Sequence, residues 1–254
     1  VLLGAAGVYS IHSILLDFLK TMLKDEQKRK ALWCRMGEWY LSKGAHIPAC
    51  SYLCRGGDTM RILSLLNDIN KIAYNSPSFE GFSEMFAAIP RDTLFKYPYA
   101  YMQYIDILMI SGDSAEAREG LARLNEFQDV YEHTEDISSD FKNRILGEIS
   151  TMRIFSVFND AEQMVSQMNE ALRLLDGDVS YLIKRESEFT FGSPHLLYTY
   201  YREPGRLRET ADYIVRKFPF FAKLANGCGT GCDYLTMAEY ALETGDWQSA
   251  EKCL

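Results

Sequence analysis

Residues 44–49 read Gly-Ala-His-Ile-Pro-Ala, residues 112–117 read Gly-Asp-Ser-Ala-Glu-Ala, and residues 245–250 read Gly-Asp-Trp-Gln-Ser-Ala. Each stretch follows an amphipathic run, and in each a glycine is followed by an alanine five positions later. Glycine readily adopts the left-handed conformation that ends a helix, and alanine fits where two helices pack closely. The recurrence therefore predicts a repeat of helix pairs.

The composition agrees with an all-α fold. The 254 residues include 7 prolines and 17 glycines, too few for the many tight turns of an all-β chain, and apolar residues recur with the helical period. Five turn markers, at residues 57, 112, 159, 205 and 245, are spaced 40–55 residues apart. We predict a right-handed superhelix of tetratricopeptide-like antiparallel helix pairs, each of which buries its apolar face on its neighbours.

The turns also place the individual helices. Asn159 is expected to replace glycine as the left-handed residue of one turn. The predicted helices cover residues 25–42, 47–54, 59–74, 78–88, 98–110, 115–127, 141–158, 178–189, 196–201, 207–217 and 232–243.

The net charge of −8 argues against general nucleic-acid binding, which needs a basic face. The charge is uneven, because residues 1–75 carry ten Lys and Arg against six Asp and Glu, whereas the remainder is acidic. Two interpretations stay open for this basic end. The excess of basic residues is an ordinary scatter of charges on solvated helix faces, or it marks a surface that docks onto another domain.

The six cysteines lie mostly in helical stretches without a secretory leader, which predicts reduced thiols and a cytoplasmic location. Neither Cys50 with Cys54 nor Cys228 with Cys232 has CxxC spacing, and no histidines accompany them, so we predict no metal site. The apolar run over residues 1–23 is interrupted by polar residues and is too short to span a bilayer. We therefore expect no membrane association.

No recognisable catalytic motif is present, and we predict no catalytic residues. The glycine-dense loop at residues 226–232 lacks the Gly-Lys-Ser/Thr ending of a phosphate-binding loop. Nucleophile-elbow, zinc-protease and calcium-loop patterns are missing from the sequence, and four histidines leave little material for general base catalysis. Paired acids such as Glu186 and Glu188 are expected on solvated faces.

The segment over residues 189–202, Phe-Thr-Phe-Gly-Ser-Pro-His-Leu-Leu-Tyr-Thr-Tyr-Tyr-Arg, is dense in aromatic residues with polar tips. It predicts either a large core between repeats or an aromatic ligand pocket with a few polar anchors. The two alternatives stay open at this point. For the pocket, the predicted effector-binding residues are Phe191, His195, Tyr198, Tyr201 and Arg202.

A family resemblance rests on an aromatic-x-x-His motif followed by Asp-Phe-Leu, and on a later Glu-Trp-Tyr helix. The matching residues are His12, Asp17, Phe18, Leu19, Glu38, Trp39 and Tyr40, and residues 191–194, 201–203 and 226–227 also resemble bacterial, especially Gram-positive, members. In this order the chain resembles the MalT-like branch of large, bacterial, LuxR-type ATP-dependent transcriptional regulators.

The resemblance implies that residues 1–24 end a winged-helix module and that residues 25–254 form a tetratricopeptide-like sensor domain. It implies as partners the protein's own ATPase and DNA-binding domains in a full-length protein, and it leaves open a small-molecule inducer, a protein partner or a homo-oligomer. The chain begins on Val1 and ends four residues after Ala250, so we expect a fragment of a longer protein. ATP is expected only in the nucleotide-binding domain, which lies outside this sequence, so we predict no cofactor and no direct nucleic-acid contact here.

The predicted function is therefore a non-catalytic regulatory domain that binds an effector or a partner. The alternative is a tetratricopeptide scaffold that binds a peptide segment. An enclosed aromatic pocket near Phe191 and Tyr198 would favour the sensor, whereas an open groove lined by Asn, Lys and Arg would favour the scaffold. An enzyme is a distant third interpretation, because no converging acid–base set is visible.

Overall fold

The predicted all-α fold is confirmed by a computed structural model. It describes residues 2–3, 9–10, 12–22, 24–70, 79–110, 113–187 and 195–253. Fifteen helices and one short strand pair are assigned in these ranges, and the strands β1 (Leu2–Leu3) and β2 (Tyr9–Ser10) are antiparallel. The handedness of the superhelix stays a prediction.

The chain divides into two compact units, and the first ends at Thr93. The boundary predicted after residue 24 falls inside this first unit, and it stays a prediction. The strand pair is followed by α1 (Ser13–Met22), α2 (Glu26–Ser42), α3 (His46–Gly56), α4 (Thr59–Leu66) and α5 (Phe82–Ala88), and α6 (Arg91–Leu94) lies at the boundary between the units.

The second unit begins at Leu94 and contains the remaining helices. They are α7 (Pro98–Ile110), α8 (Ser114–His133), α9 (Ser139–Ser156), α10 (Ala161–Leu174), α11 (Leu196–Tyr200), α12 (Leu207–Lys217), α13 (Pro219–Leu224), α14 (Cys232–Glu243) and α15 (Trp247–Cys253). Three pairs of consecutive helices pack against each other, namely α7 with α8, α9 with α10, and α14 with α15. In the first unit α2 and α3 form the same kind of pair.

The turn residues behave as the sequence predicts. Gly44 and Gly245 have φ values of 71° and 76°, and Asn159 has a φ of 79°, all in the left-handed region. Ala49 and Ala250 are buried at the start of the following helix, as a small side chain there predicts, whereas Ala117, the third alanine of the pattern, is half-buried. Gly112 lies outside the described residues.

Glycines inside the helices allow the pairs to approach closely. A Cβ at Gly37 of α2 would lie 2.7 Å from Cγ of Leu53 on α3. A Cβ at Gly120 of α8 would lie 2.9 Å from Cγ of Met109 on α7. Each glycine therefore marks a point where only a hydrogen atom fits between the paired helices.

The predicted helix over residues 178–189 is wrong, because the described part of this stretch, through Ser187, is not helical. Two of its backbone N–H groups donate to distant groups. The Ser180 N–H donates to the Leu224 carbonyl at 2.8 Å, and the Tyr181 N–H donates to the Glu148 carboxylate at 2.8 Å. An N–H group that bonds a distant acceptor cannot also form the hydrogen bond that a helix requires.

Three helix lengths also differ clearly from prediction. Helix α5 begins at Phe82, although a helix from residue 78 was predicted. Helix α4 ends at Leu66, although the apolar pattern predicted a helix to residue 74, and α8 continues to His133, beyond the predicted end at residue 127. Asp58 and Asp113 cap the starts of α4 and α8 by accepting bonds from backbone N–H groups.

Candidate functional site

The aromatic segment predicted from the sequence is divided between core and surface. Leu196, Leu197 and Tyr200 of α11 are buried. The Tyr200 ring packs edge-on against Phe218, with ring centroids 4.9 Å apart, and burial raises the pKa of Tyr200 to about 12. This face of α11 therefore belongs to the hydrophobic core.

The start of α11 is held by a buried carboxylate. Glu239 of α14 accepts hydrogen bonds from the backbone N–H groups of Leu196, at 2.7 Å, and Leu197, at 2.5 Å. The first N–H groups of a helix have no partner inside the helix, so a negative group here both bonds them and suits the helix dipole. Glu239 thus fixes the start of α11.

Two predicted residues lie on the exposed side of α11. His195 and Tyr198 form a perpendicular ring pair with centroids 5.6 Å apart, and 46% of Tyr198 is exposed. The Tyr198 hydroxyl bonds the Glu243 carboxylate, and this hydrogen bond raises the pKa of Tyr198. These side chains are available at the surface, but they do not enclose a cavity by themselves.

The other two predicted residues close the end of α11. The Arg202 guanidinium donates to the backbone carbonyls of Tyr198, Thr199 and Tyr201. The Tyr201 hydroxyl accepts a hydrogen bond from the backbone N–H of Gly205 at 3.0 Å. A cation that bonds the last carbonyls of a helix stabilises its carboxyl end.

A groove of about 550 Å³ lies beside Arg202. We call it the α10–α12 groove, because its walls come from the start of α10 and from the stretch between Tyr200 and Tyr213. The lining residues are Asn159, Asp160, Ala161, Glu162, Tyr200, Arg202, Glu203, Arg206, Glu209, Thr210 and Tyr213. Its volume falls within the ordinary range for small-molecule sites, of about 300–1,000 Å³.

Most charges in the α10–α12 groove are held by neighbours. Arg206 bonds Glu203 at 2.8 Å and Glu209 at 2.5 Å, and these hydrogen bonds raise the pKa of Arg206. Asp160 caps α10 by accepting a 3.0 Å bond from the Gln163 N–H, which lowers the pKa of Asp160. Burial raises the pKa of the Tyr213 hydroxyl. The lowered pKa of Asp160 and the raised pKa of Arg206 both favour the charged forms of these groups, so their chemistry suits binding.

Among the described residues, Arg202 is the member of the predicted set that lines the α10–α12 groove. His195, Tyr198 and Tyr201 lie outside its lining, and Phe191 lies outside the described residues. The contributions of α10 and α12 to the groove were not predicted from the sequence. A signal was present in Glu203, Arg206 and Glu209, whose spacing of three residues allows one arginine to bond two acids.

A second groove, of about 470 Å³, crosses α8, α9 and α10. We call it the α8–α10 groove, and it is lined mainly by amide and charged side chains. The lining residues are Gln128, Glu132, Leu146, Ser150, Arg153, Gln167, Glu170, Arg173 and Leu174. Side chains of this kind can bond the backbone of an extended peptide as well as its polar side chains.

No family model, curated protein or solved structure matches the chain. The two grooves are therefore interpreted from their own chemistry.

Nowhere in the described ranges do three or more His, Cys, Asp or Glu side chains converge as metal ligands would. Within the part of the chain that the structure describes, no helix combines the length and the apolar character needed to cross a membrane.

Proposed function

We propose that the chain is the regulatory, non-catalytic helical-repeat region of a cytoplasmic, LuxR-type ATP-dependent transcriptional regulator. The family resemblance at residues 9–19 and 38–40 is one support. The observation that carries the proposal is the α10–α12 groove, which has the volume of a small-molecule site and includes Arg202 of the predicted effector segment.

The groove is formed by side chains from separate helices of the second unit, which is what a sensor needs. A ligand that bonds Asp160 or Glu162 at the start of α10, together with Arg206 at the start of α12 or Tyr213 within it, favours one arrangement of those helices. Binding shifts a conformational equilibrium only by the ligand's difference in affinity between the two states. In a full-length regulator, the ATPase would respond to that shift, with the basic first 75 residues as the contact.

The test is a thermal unfolding screen of the chain against sugars, amino acids, nucleotides and short peptides, because a ligand of the folded state raises the midpoint. A hit is then repeated with Thr210→Gln, which places a longer side chain in the groove. The matched control is Ser166→Gln on the exposed face of α10, outside the lining. We expect Thr210→Gln to abolish the shift and Ser166→Gln to retain it. A small-molecule shift that survives Thr210→Gln would contradict this site.

A second candidate function, a scaffold that binds a peptide segment, is supported by the α8–α10 groove. Its walls carry Gln128, Ser150, Arg153 and Gln167, which supply donors and acceptors across three helices. The test is selection of a random peptide library on the immobilised chain. Recovery of peptides that compete with one another for one site would support the scaffold, and recovery of none would remove it.

A further inference from the structure

Arg153 of α9 is fixed in the α8–α10 groove by neutral groups. Its Nε donates to Oε1 of Gln128 at 2.9 Å, and its Nη2 donates to Oδ1 of Asn125 at 2.6 Å. Both acceptors are amide oxygens on α8. The guanidinium is therefore held in one orientation by bonds that leave its charge unneutralised.

No carboxylate oxygen of a described residue lies within 4.0 Å of the Arg153 guanidinium nitrogens. Other partly buried arginines of the same unit differ in this respect. Arg144 pairs with Asp178 at 2.6 Å, and Arg123 pairs with Glu119 at 2.7 Å. Burial lowers the pKa of the Arg153 guanidinium, and the charge of Glu132 opposes that shift. A half-buried cation without a directly bonded anion is costly, and such groups are characteristic of binding sites.

The acids that share the groove are engaged elsewhere. Glu170 bonds Arg173 through both oxygens, at 2.6 Å and 2.9 Å. Glu132 accepts a 2.6 Å bond from the Gln128 amide nitrogen, so an amide lies between this carboxylate and the guanidinium. The two acids that line the groove therefore do not bond Arg153, and its guanidinium can pair with an anion on a bound partner.

The donors that remain on Arg153 suit a carboxylate. An arginine has five N–H donors, and the two bonds to α8 leave three, shared between Nη1 and Nη2. The end formed by Nη1 and Nη2 can bond both oxygens of a carboxylate at once. Glu132 and Glu170 also line the groove, and they would repel a doubly charged phosphate more strongly than a singly charged carboxylate.

We propose that the α8–α10 groove binds an acidic peptide segment, in which an aspartate or glutamate side chain pairs with Arg153. The peptide backbone would bond the amides of Gln128 and Gln167 and the Ser150 hydroxyl. Its apolar side chains would pack on Leu146 and Leu174. This inference rests on the second candidate function, because it names the ligand of the same groove.

The test selects a random heptapeptide library on the 254-residue chain and, in parallel, on the Arg153→Gln variant. We expect the unmodified chain to enrich peptides with an acidic residue at a fixed position and the variant to lose that preference. A selected peptide and its Asn or Gln counterpart are then compared by fluorescence polarisation. The acidic peptide should bind the unmodified chain about tenfold to a hundredfold more tightly, and the two should bind the variant equally.

Three further variants sharpen the experiment. Arg216→Gln removes the same charge from the exposed face of α12, outside both grooves, and this variant should keep the preference for acidic peptides. Arg153→Lys keeps the charge without the planar fork and should bind with intermediate strength. If Arg153→Gln fails to fold, Gln128→Glu keeps Arg153 and supplies an internal carboxylate beside it, which should also abolish the preference.

The possible outcomes separate the inference from the function on which it rests. Peptides selected without an acidic position, or bound equally well by Arg153→Gln, would overturn the role of Arg153 while leaving the scaffold in place. Recovery of no peptide would overturn both.

Discussion

Gly147 on α9 faces Leu175 at the end of α10 so closely that a Cβ at position 147 would lie 2.7 Å from Cδ2 of Leu175. The same relationship joins Gly37 to Leu53 in the pair formed by α2 and α3. In both pairs, the two helices therefore approach closely at a position where glycine supplies no side chain.

Replacement Gly147→Ala should destabilise the protein by up to about 2 kcal/mol. The overlap with Leu175 costs about 1–3 kcal/mol, and the better helix propensity of alanine offsets about 1 kcal/mol of that cost. Denaturant unfolding measures the change. The double variant with Leu175→Ala serves as the control, since the overlap disappears in it and the two changes should show favourable coupling. Stabilisation by Gly147→Ala alone would mean that Leu175 moves aside freely.

Removal of the Glu239 carboxylate should destabilise the second unit by about 2–4 kcal/mol, because Glu239→Ala leaves two buried N–H donors of α11 without their acceptor. Glu239→Gln keeps one carboxamide oxygen and should lose less. The comparison variant is Glu251→Ala on exposed α15, which we expect to change the free energy of unfolding by less than about 0.5 kcal/mol. Equal effects of the two alanine variants on the free energy of unfolding would argue against Glu239 as the cap of α11.

The stability contributed by Glu148 should fall as the pH rises. Burial raises the pKa of Glu148, although Ser180, Tyr181 and Arg144 bond its charged form and oppose the shift. Between the unfolded pKa, about 4.3, and the higher folded pKa, the folded protein binds more protons than the unfolded chain. In that window the free energy of unfolding therefore decreases with increasing pH.

The measurement compares the unmodified chain with Glu148→Gln by denaturant unfolding from pH 4 upwards. The difference in stability between them should be largest at the acid end and decline towards the folded pKa, by no more than about 1.4 kcal/mol per pH unit. A difference that grows with pH would mean that the bonds from Arg144, Ser180 and Tyr181 outweigh burial.

The thiols of Cys50 and Cys232 should resist modification in the folded protein. Both side chains are buried, and burial raises the pKa of Cys50 to about 12 and that of Cys232 to about 11. The thiolate is the reactive form, so its population is small at neutral pH. A disulfide reagent followed by peptide mass spectrometry should label both residues in denaturant and leave them unlabelled without it. Rapid labelling of native Cys50 would contradict its burial.

Local sequence signals were sufficient to predict the bounds of several helices. Helices α7, α12 and α14 have the predicted bounds, because Pro98, the turn around Gly205 and the turn around Gly245 mark helix ends within a few residues. The loop over residues 178–187 was not predictable in this way. Its partners, Glu148 and Leu224, lie more than 30 residues away in the sequence, and periodicity does not report long-range hydrogen bonds.

The candidate sites were harder to predict than the fold. Arg202 was singled out as a polar anchor, and it does line a groove, but its hydrogen bonds go to the carbonyls of its own helix end. The opposite wall comes from Asp160 and Glu162, and no local pattern shows that α10 lies beside α12. Arg153 carried no sequence signal, because its distinguishing property is the identity of its neighbours on α8.

The bond between Leu196 and Glu239 also has a consequence for the order in which the second unit assembles during synthesis. Glu239 follows Leu196 by 43 residues, so the ribosome adds it about 2–9 s later at about 5–20 residues per second. A helix of five residues is too short to persist alone in water. The bonds from Glu239 to the start of α11 therefore cannot form until α14 has been synthesised, and until then the N–H groups of Leu196 and Leu197 lack this acceptor.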